Sequence, residues 1–546
     1  MLELKLSLGD ASIVILFFTL MAHGIMILLN DEVYFDGWYL VGWQRRKDFA
    51  TMRTFYNQVG MPFLYYCHKF MAKLPRSIFW YKVLSFASLF LSSFFVYCLC
   101  QKSGSFTNAE SLCIALLMLC YPGQHMTVEP TCIQYVFTLT LFLLGCLLGL
   151  QAEAAQGTAQ WIMRGGAVVV FLISFNMNSL LAFYSGFILL LILCYISNEG
   201  LSLFGIIQYI LKRGYYLALP FIYWFWKEKF TPRHGHYADY NRIRFKGIKD
   251  IVAAYMQLLR TGVGGVFMQS LLFLFKQPIG WVIAAVCGGT ALCLSQHFLL
   301  FESMTRAKSG MIILYGAFLM SYGSISYILV GQPFGLRGWA TKNNALLALP
   351  MALIIFGAGS MIQKPSVIAP FLGVLIIAHI IYLNYNYLCL LAVYAKNRSW
   401  LLNLGKISLA KDISIFGVCN RHQICASLDA HPETIYLVYM FEWLWGDVTR
   451  LGINELKPRK IAYTPEEVKA EIYKTTIDYA LQGIDPYGKQ AQLIVRQGEQ
   501  GLSEVQTAVR YLIYRFFKRD KFEDFLSGIT QLELIPLKVD TFLEKA

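Results

Sequence analysis

The chain has 546 residues, of which 57% are apolar and only 15% charged. A water-soluble protein of this size has nowhere to hide so much apolar surface, so the composition excludes a soluble enzyme and points to many membrane crossings. The formal net charge of +14 comes with no zinc-ligand spacing, RNA-binding fingerprint or basic helical stripe, which argues against nucleic acid and for anionic lipid or an anionic substrate.

Met1–Asp10 is short and mildly amphipathic, and the apolar run Ala11–Leu29 behind it is long enough to span. Together they read as an uncleaved anchor. The run ends in Asn30-Asp31-Glu32-Val33-Tyr34-Phe35-Asp36-Gly37-Trp38. Ionised groups where a span leaves the bilayer are costly unless water, a partner or a substrate compensates them. Asp31, Glu32 and Asp36 are therefore candidate functional acids rather than a solvated helix end. A carboxylate there can act as general base toward an acceptor hydroxyl, or ligate a divalent cation such as Mg or Mn. The spacing does not say which acid is the base. Tyr34 and Trp38 flank the trio as candidate lining of an acceptor or sugar site.

A loop of residues 31–76 follows, with an amphipathic stretch Met61–Met71 that reads as interfacial. Apolar runs recur at Ser77–Cys100, Ser111–Tyr121, Ile133–Leu150, Trp161–Phe175, Leu180–Ile196 and Tyr215–Trp226. Later ones are Ile279–Leu300, Met311–Val330, Ala345–Ile362 and Val367–Ala395. With the first run, and with the less hydrophobic Asp250–Lys276 counted or not, this predicts a polytopic α-helical protein of about 11 to 12 transmembrane helices. The spans read as nearly free of charge, with Glu110 and Arg260 as the nearest exceptions, both close to edges.

Short positive loops holding Lys102, Arg164, Lys212-Arg213, Arg306 with Lys308, and Lys364 mark the cytoplasmic face if Asp250–Lys276 does not cross. Residues 31–76, 121–131, 227–250 and 331–344 are then outer loops. Two of these are strongly basic, which fits an anionic ligand on that side. In residues 227–250, Arg233, His234, His236, Arg242 and Arg244 combine guanidinium and imidazole donors suited to phosphate, beside Tyr237 and Tyr240. His234 and His236 have no clear third partner for a metal. In residues 331–344, Arg337 sits at the tip of Pro333-Phe334-Gly335-Leu336-Arg337-Gly338-Trp339, with Lys342 beyond. Arg337 reads as a second phosphate clamp or a snorkelling anchor, and Lys342 as a further phosphate candidate. His125 and Glu129, in the Tyr121-Pro122-Gly123-Gln124-His125 loop, are candidates for the acceptor side.

The thirteen cysteines lie mostly in apolar runs as small core residues. Cys419 and Cys425 alone sit close together in a polar segment, where a disulfide is open if that side is oxidising. From about Lys396 the composition turns polar. Residues 396–546 read as a small soluble C-terminal domain, α/β or mostly helical, after a membrane domain of residues 1–395. Asp412–Val418 reads as a strand, Thr464-Pro465-Glu466-Glu467 as a capped helix start, and Thr475–Leu481 and Val505–Phe517 as helices. An odd span count puts this domain outside, whereas Lys396, Arg398, Lys406 and Lys411 favour the inside.

This order of features resembles the GT-C superfamily of glycosyltransferases. Asp31-Glu32-Val33-Tyr34-Phe35 is similar to the Asp-Glu-Val-His-Phe motif of protein O-mannosyltransferases. Tyr121-Pro122-Gly123, the Pro232…Gly235-x-Tyr237-x-x-Tyr240-Asn241 segment and the Arg337 loop resemble bacterial members. The resemblance covers about residues 1–395 in layout. It implies a GT-C-like fold in the bacterial inner membrane and a sugar donor carried on polyprenyl phosphate. It also implies transfer to a glycan, lipid or protein hydroxyl at the outer face, usually with inversion. Asp31 or Glu32 would be the base and Asp36 a supporting acid. Arg233, His234, His236, Arg242, Arg244, Arg337 and Lys342 would face the lipid phosphate. The family layout, with 11 spans, puts the C-terminal domain outside. No Trp-Trp-Asp motif follows the last span, and the C-terminal domain matches no known pattern, so the acceptor class stays open. The competing readings are a transporter or flippase of lipid-linked sugars, and a polymerase or ligase of assembled glycans.

Overall fold

In the computed structural model the described residues are 7–28, 31–239, 241–243, 247–276, 278–297, 304–422, 434–474 and 484–538. Tyr240, Arg244, Cys425 and the predicted helix Thr475–Leu481 lie outside them. The rest is dominated by apolar helices. Eight are long and apolar enough to cross a membrane, or nine if the bent pair Asn108–Leu119 and Pro122–Val128 is one span. The chain is therefore a polytopic helical protein, with eight or nine span-length helices among the described residues against the 11 to 12 expected. The difference lies in short helices. Leu8–His23 has 16 residues, and the Tyr215–Trp226 run lies in the 17-residue helix Gly214–Phe230, which contains Pro220. At 1.5 Å per residue such helices fall short of a hydrocarbon core about 30 Å thick. Asp250–Lys276, left open by the sequence, lies in the span-length stretch Ile248–Lys276. Its centre, Leu258–Gly265, winds as π-helix over the glycines. Tyr121 Oη donates to the Gly262 carbonyl there.

Six helices position the site. Helix α1 (Leu8–His23) starts at a capping box between Ser7 and Asp10. Helix α2 (Gly37–Arg46) follows the acidic loop. Helix α3 (Ser77–Lys102) is 26 residues long. Helix α4 (Pro365–Gly405) has 41 residues and so reaches about 60 Å, twice the apolar thickness of a bilayer. Its last turns leave the apolar bundle and enter the C-terminal region. There Ser399 bonds Thr530 (2.7 Å), and Asn403 donates to the carbonyls of Ser527 and Thr530. Helices α5 (Thr434–Trp445) and α6 (Glu504–Phe517) belong to that region.

The C-terminal region is α/β rather than mostly helical. Strands β1 (Ile415–Asn420), β2 (Leu451–Asn454), β3 (Gln490–Gln497) and β4 (Thr530–Pro536) form one sheet in the order β2-β1-β3-β4. β1 runs parallel to β2 and β3, and β4 closes the edge antiparallel to β3. Parallel neighbours need a crossover, and α5 supplies the one between β1 and β2. The predicted strand Asp412–Val418 is displaced by two or three residues, because Ser408–Asp412 is a 3-10 turn. Thr464 and Glu467 exchange capping hydrogen bonds at the start of helix Pro465–Lys474.

Loops far apart in sequence meet at one end of the bundle. Tyr34 N–H donates to Glu129 at 3.2 Å, and Gln332 donates to Asn241 at 2.9 Å. His234 N–H donates to the Gln58 carbonyl at 3.1 Å. Lys342 acts electrostatically on Asp36.

Candidate active site

The acidic loop lies between the end of the first apolar helices and α2, and its three acids have different surroundings. Glu32 has no exposed surface. Its carboxylate meets Lys82 Nζ at 3.4 Å, and Lys82 also donates to the Glu32 carbonyl at 2.9 Å. Its other oxygen takes a guanidinium nitrogen of Arg515. Burial pushes the Glu32 carboxyl up, and the Lys82 and Arg515 charges oppose that. Asp31 takes the second nitrogen of Arg515 at 2.5 Å, yet its side chain stays 51% exposed. Arg515 thus spans two adjacent carboxylates with its planar fork, a geometry a lysine does not offer.

Asp36 accepts a hydrogen bond from Tyr436 of α5 at 2.8 Å. Burial raises its pKa, while Lys342, Tyr436 and Tyr39 pull it down. Glu129 is fully buried and accepts from the Tyr34 and Thr131 backbones. Burial, with the Asp36 charge, pushes its carboxyl up to about 8. Gly37 makes room for it, since a Cβ there would lie 2.5 Å from Glu129 Oε1.

A cavity of about 620 Å³ opens beside Asp31. Arg45, Arg76, Arg515 and Arg519 line it, with Ser77 and Trp443. Arg45 lies 4.5 Å from the centre of the Trp443 ring, which fixes its side chain. Ser77 is the first residue of α3, so the positive end of a long helix dipole faces the same space. Four guanidiniums and a helix N-terminus around one accessible carboxylate give the cavity a positive lining suited to an anionic group.

The predicted phosphate residues are distributed otherwise. Arg233 donates to the Asn241 carbonyl at 3.0 Å, and His234 and Gly235 pack on Gln58. His236 packs edge-on to Tyr473. Arg242 pairs with Asp239 on the exposed surface. Arg337 reaches Tyr382 Oη at 3.4 Å and lies over the Tyr385 ring. Among the phosphate candidates within the described residues, Lys342 comes nearest the acidic loop. It stacks on Trp339, whose ring in turn stacks on Phe35, and its charge acts on Asp36. None of these residues lines the cavity beside Asp31.

Of the acceptor candidates, Tyr34 and Trp38 are buried against Tyr394, and Tyr237 packs on Phe55. His125 is fully buried with Nε2 unpartnered. Among the described residues no three His, Cys, Asp or Glu side chains gather as a metal would require. Asp31 and Glu32 share Arg515, Asp36 takes Tyr436, and Glu129 takes backbone N–H groups, an arrangement that does not fit a divalent ion held between them.

Sequence reading missed Lys82, Arg45, Arg76, Arg515 and Arg519. Lys82 had a signal: it is a lysine five residues into a span otherwise free of acids and bases until Lys102. It corrects the reading that Glu110 and Arg260 are the nearest intramembrane charges. Glu110 itself completes a capping box with Thr107. Arg515 and Arg519, four apart near the end of an amphipathic helix, look in sequence like any solvated face. Comparison with protein-family models, curated proteins and solved structures finds no match to this chain.

Proposed function

We propose that the chain is an integral-membrane glycosyltransferase of the GT-C kind. It moves a sugar from a polyprenyl-phosphate donor to an acceptor hydroxyl of a glycan, lipid or protein at the extracytoplasmic face. The observation that carries this reading is the accessible Asp31 carboxylate on the rim of an arginine-lined cavity at a membrane-facing helix end.

Asp31, rather than the enclosed Glu32, takes the proton from the acceptor hydroxyl. That oxygen attacks the anomeric carbon, the bond from this carbon to the phosphate oxygen breaks, and the lipid phosphate leaves as an anion. Arg45, Arg76 and Arg519, with the α3 N-terminus, stabilise the charge that develops on it. Arg515 holds the carboxylates of Asp31 and Glu32 at a fixed separation. Glu32 and Lys82 anchor that arrangement from below. A single base and an anionic leaving group give inversion. A transporter would be expected to gather its charges at mid-depth between broken helices. Here Lys82 lies in the second turn of α3, beside the loop acids.

The test mixes purified full-length protein with radiolabelled polyprenyl-phosphate hexoses and a membrane extract. Wild type should transfer label to a new product. Asp31→Asn should lower turnover by roughly 10²–10⁴-fold, the range for loss of a general base, while donor still binds. Unchanged turnover in Asp31→Asn would remove the base assignment. No donor consumed by folded wild-type protein would favour a transporter or a ligase of larger lipid-linked glycans.

A further inference from the structure

A second cavity, of about 550 Å³, lies at the opposite end of α3 from the arginine site. Ser77 lines the first cavity, and Val96 through Ser103 line part of the second. The 26 residues of α3 separate these ends by about 39 Å. The walls of the second cavity are apolar, with Phe142, Phe187, Leu319 and Leu353 among them. Ser103 and Ser105 at the α3 C-terminus and Lys308 at the start of helix Arg306–Leu329 line it, with Ser197, while Tyr315 in its wall donates to the Gly186 carbonyl. From Lys308 to Leu319 the cavity runs about 16 Å along that helix.

Protein interiors hold few voids larger than a water molecule, and an apolar void does not take up ordered water. A cavity of this size and lining is therefore suited to a hydrocarbon chain from the bilayer. The mouth chooses among hydrocarbon chains. Among the described residues that line the cavity, Lys308 is the one charged side chain, and no acid joins it. An anionic headgroup is complementary to that rim. The lipid-linked donor is not the occupant, because its phosphate would then sit a membrane's thickness from Asp31.

We propose that this cavity holds one acyl chain of an anionic phospholipid of the leaflet opposite the arginine site, with its phosphate on Lys308 beside the Ser103–Ser105 turn. The site wedges together α3, the helices Ile133–Ala154 and Ser185–Glu199, and helix Arg306–Leu329, so lipid binding stabilises the bundle by mass action.

The test uses full-length protein in neutral detergent, with native mass spectrometry for bound lipid and fluorimetry for unfolding. Phosphatidylglycerol should remain bound and raise the midpoint by about 5 °C more than phosphatidylcholine does. Lys308→Gln should abolish the preference for phosphatidylglycerol while leaving the fold intact. Cys194→Trp, which fills the cavity from its wall, should abolish retention of both lipids. Equal stabilisation of wild type by the two lipids would overturn the proposal, as would a preference that survives Lys308→Gln. Neither readout needs transferase activity, so failure here is separate from failure of the enzymatic reading.

Discussion

Glu32 is a carboxylate with no exposed surface, held by two cations from opposite ends of the chain. Breaking such a buried arrangement by removing one partner leaves an uncompensated charge and typically costs about 3–5 kcal/mol. Lys82→Met should therefore lower the unfolding midpoint sharply. The double variant Lys82→Met with Glu32→Gln should recover much of that loss, and thermal unfolding of the purified series measures both. Equal losses in the two variants would mean that Lys82 contributes packing rather than charge. Glu129 gives a pH signature. Its folded pKa of about 8 lies above its ordinary 4.5, so the folded state holds a proton that the unfolded chain has lost. The stability from this group is full below about 4.5 and falls as pH rises toward 8. Glu129→Gln should flatten the decline of the midpoint between these limits. The acids of this cluster were legible in sequence because their position at a span end is costly. Their partners were not, since Arg515 is 484 residues from Asp31 and nothing local distinguishes it from a surface arginine.

The elements that complete the site come from both halves of the chain. α2, straight after the acidic loop, docks on α5 of the C-terminal region. Gly42 permits this approach: a Cβ there would stand 2.5 Å from the Tyr439 ring and 2.7 Å from the Glu442 carboxylate. Around it Tyr39 and Trp43 pack on Tyr439, and Arg46 pairs with Glu442 at 2.7 Å. Gly42→Val should push α5 away, destabilising the protein by about 1–3 kcal/mol, the usual cost of overpacking. It should also loosen Tyr436 from Asp36. Faster hydrogen exchange across Thr434–Trp445, with the spans unchanged, is the expected result; uniform protection would show that the contact is dispensable. Helix existence in this region was readable from capping chemistry and amphipathic spacing, as at Thr464 and Val505–Phe517. The partners of those helices depend on shape complementarity, which a single glycine at Gly42 encodes without any periodic signal.

At the scale of the whole molecule the long helix α4 ties the C-terminal region to one end of the bundle. It passes through the apolar bundle and continues into the sheet region, where Ser399 and Asn403 bind the turn before β4. The C-terminal region therefore sits at the same end as Asp31, and Arg515 brings it into contact with the acidic loop. Charge counting gave conflicting answers because Lys396 and Arg398 read as a cytoplasmic flank. In the fold Lys396 is buried, and Arg398 donates to Tyr394 at 3.0 Å beside the site. The opposite end carries Ser103, Lys308 and the apolar cavity. Gly104 and Gly501 both have open space around them and positive φ, so each tolerates an inserted epitope. Tags placed there should face opposite sides of the membrane in intact cells. A tag at Gly501 should share its side with one inserted in the Lys73–Arg76 turn, just before α3. Antibody access before and after permeabilisation measures this. Gly104 and Gly501 labelling from one side would separate Arg515 from Asp31 and dismantle the site, whereas opposite labelling ties the C-terminal region to the face on which transfer is proposed.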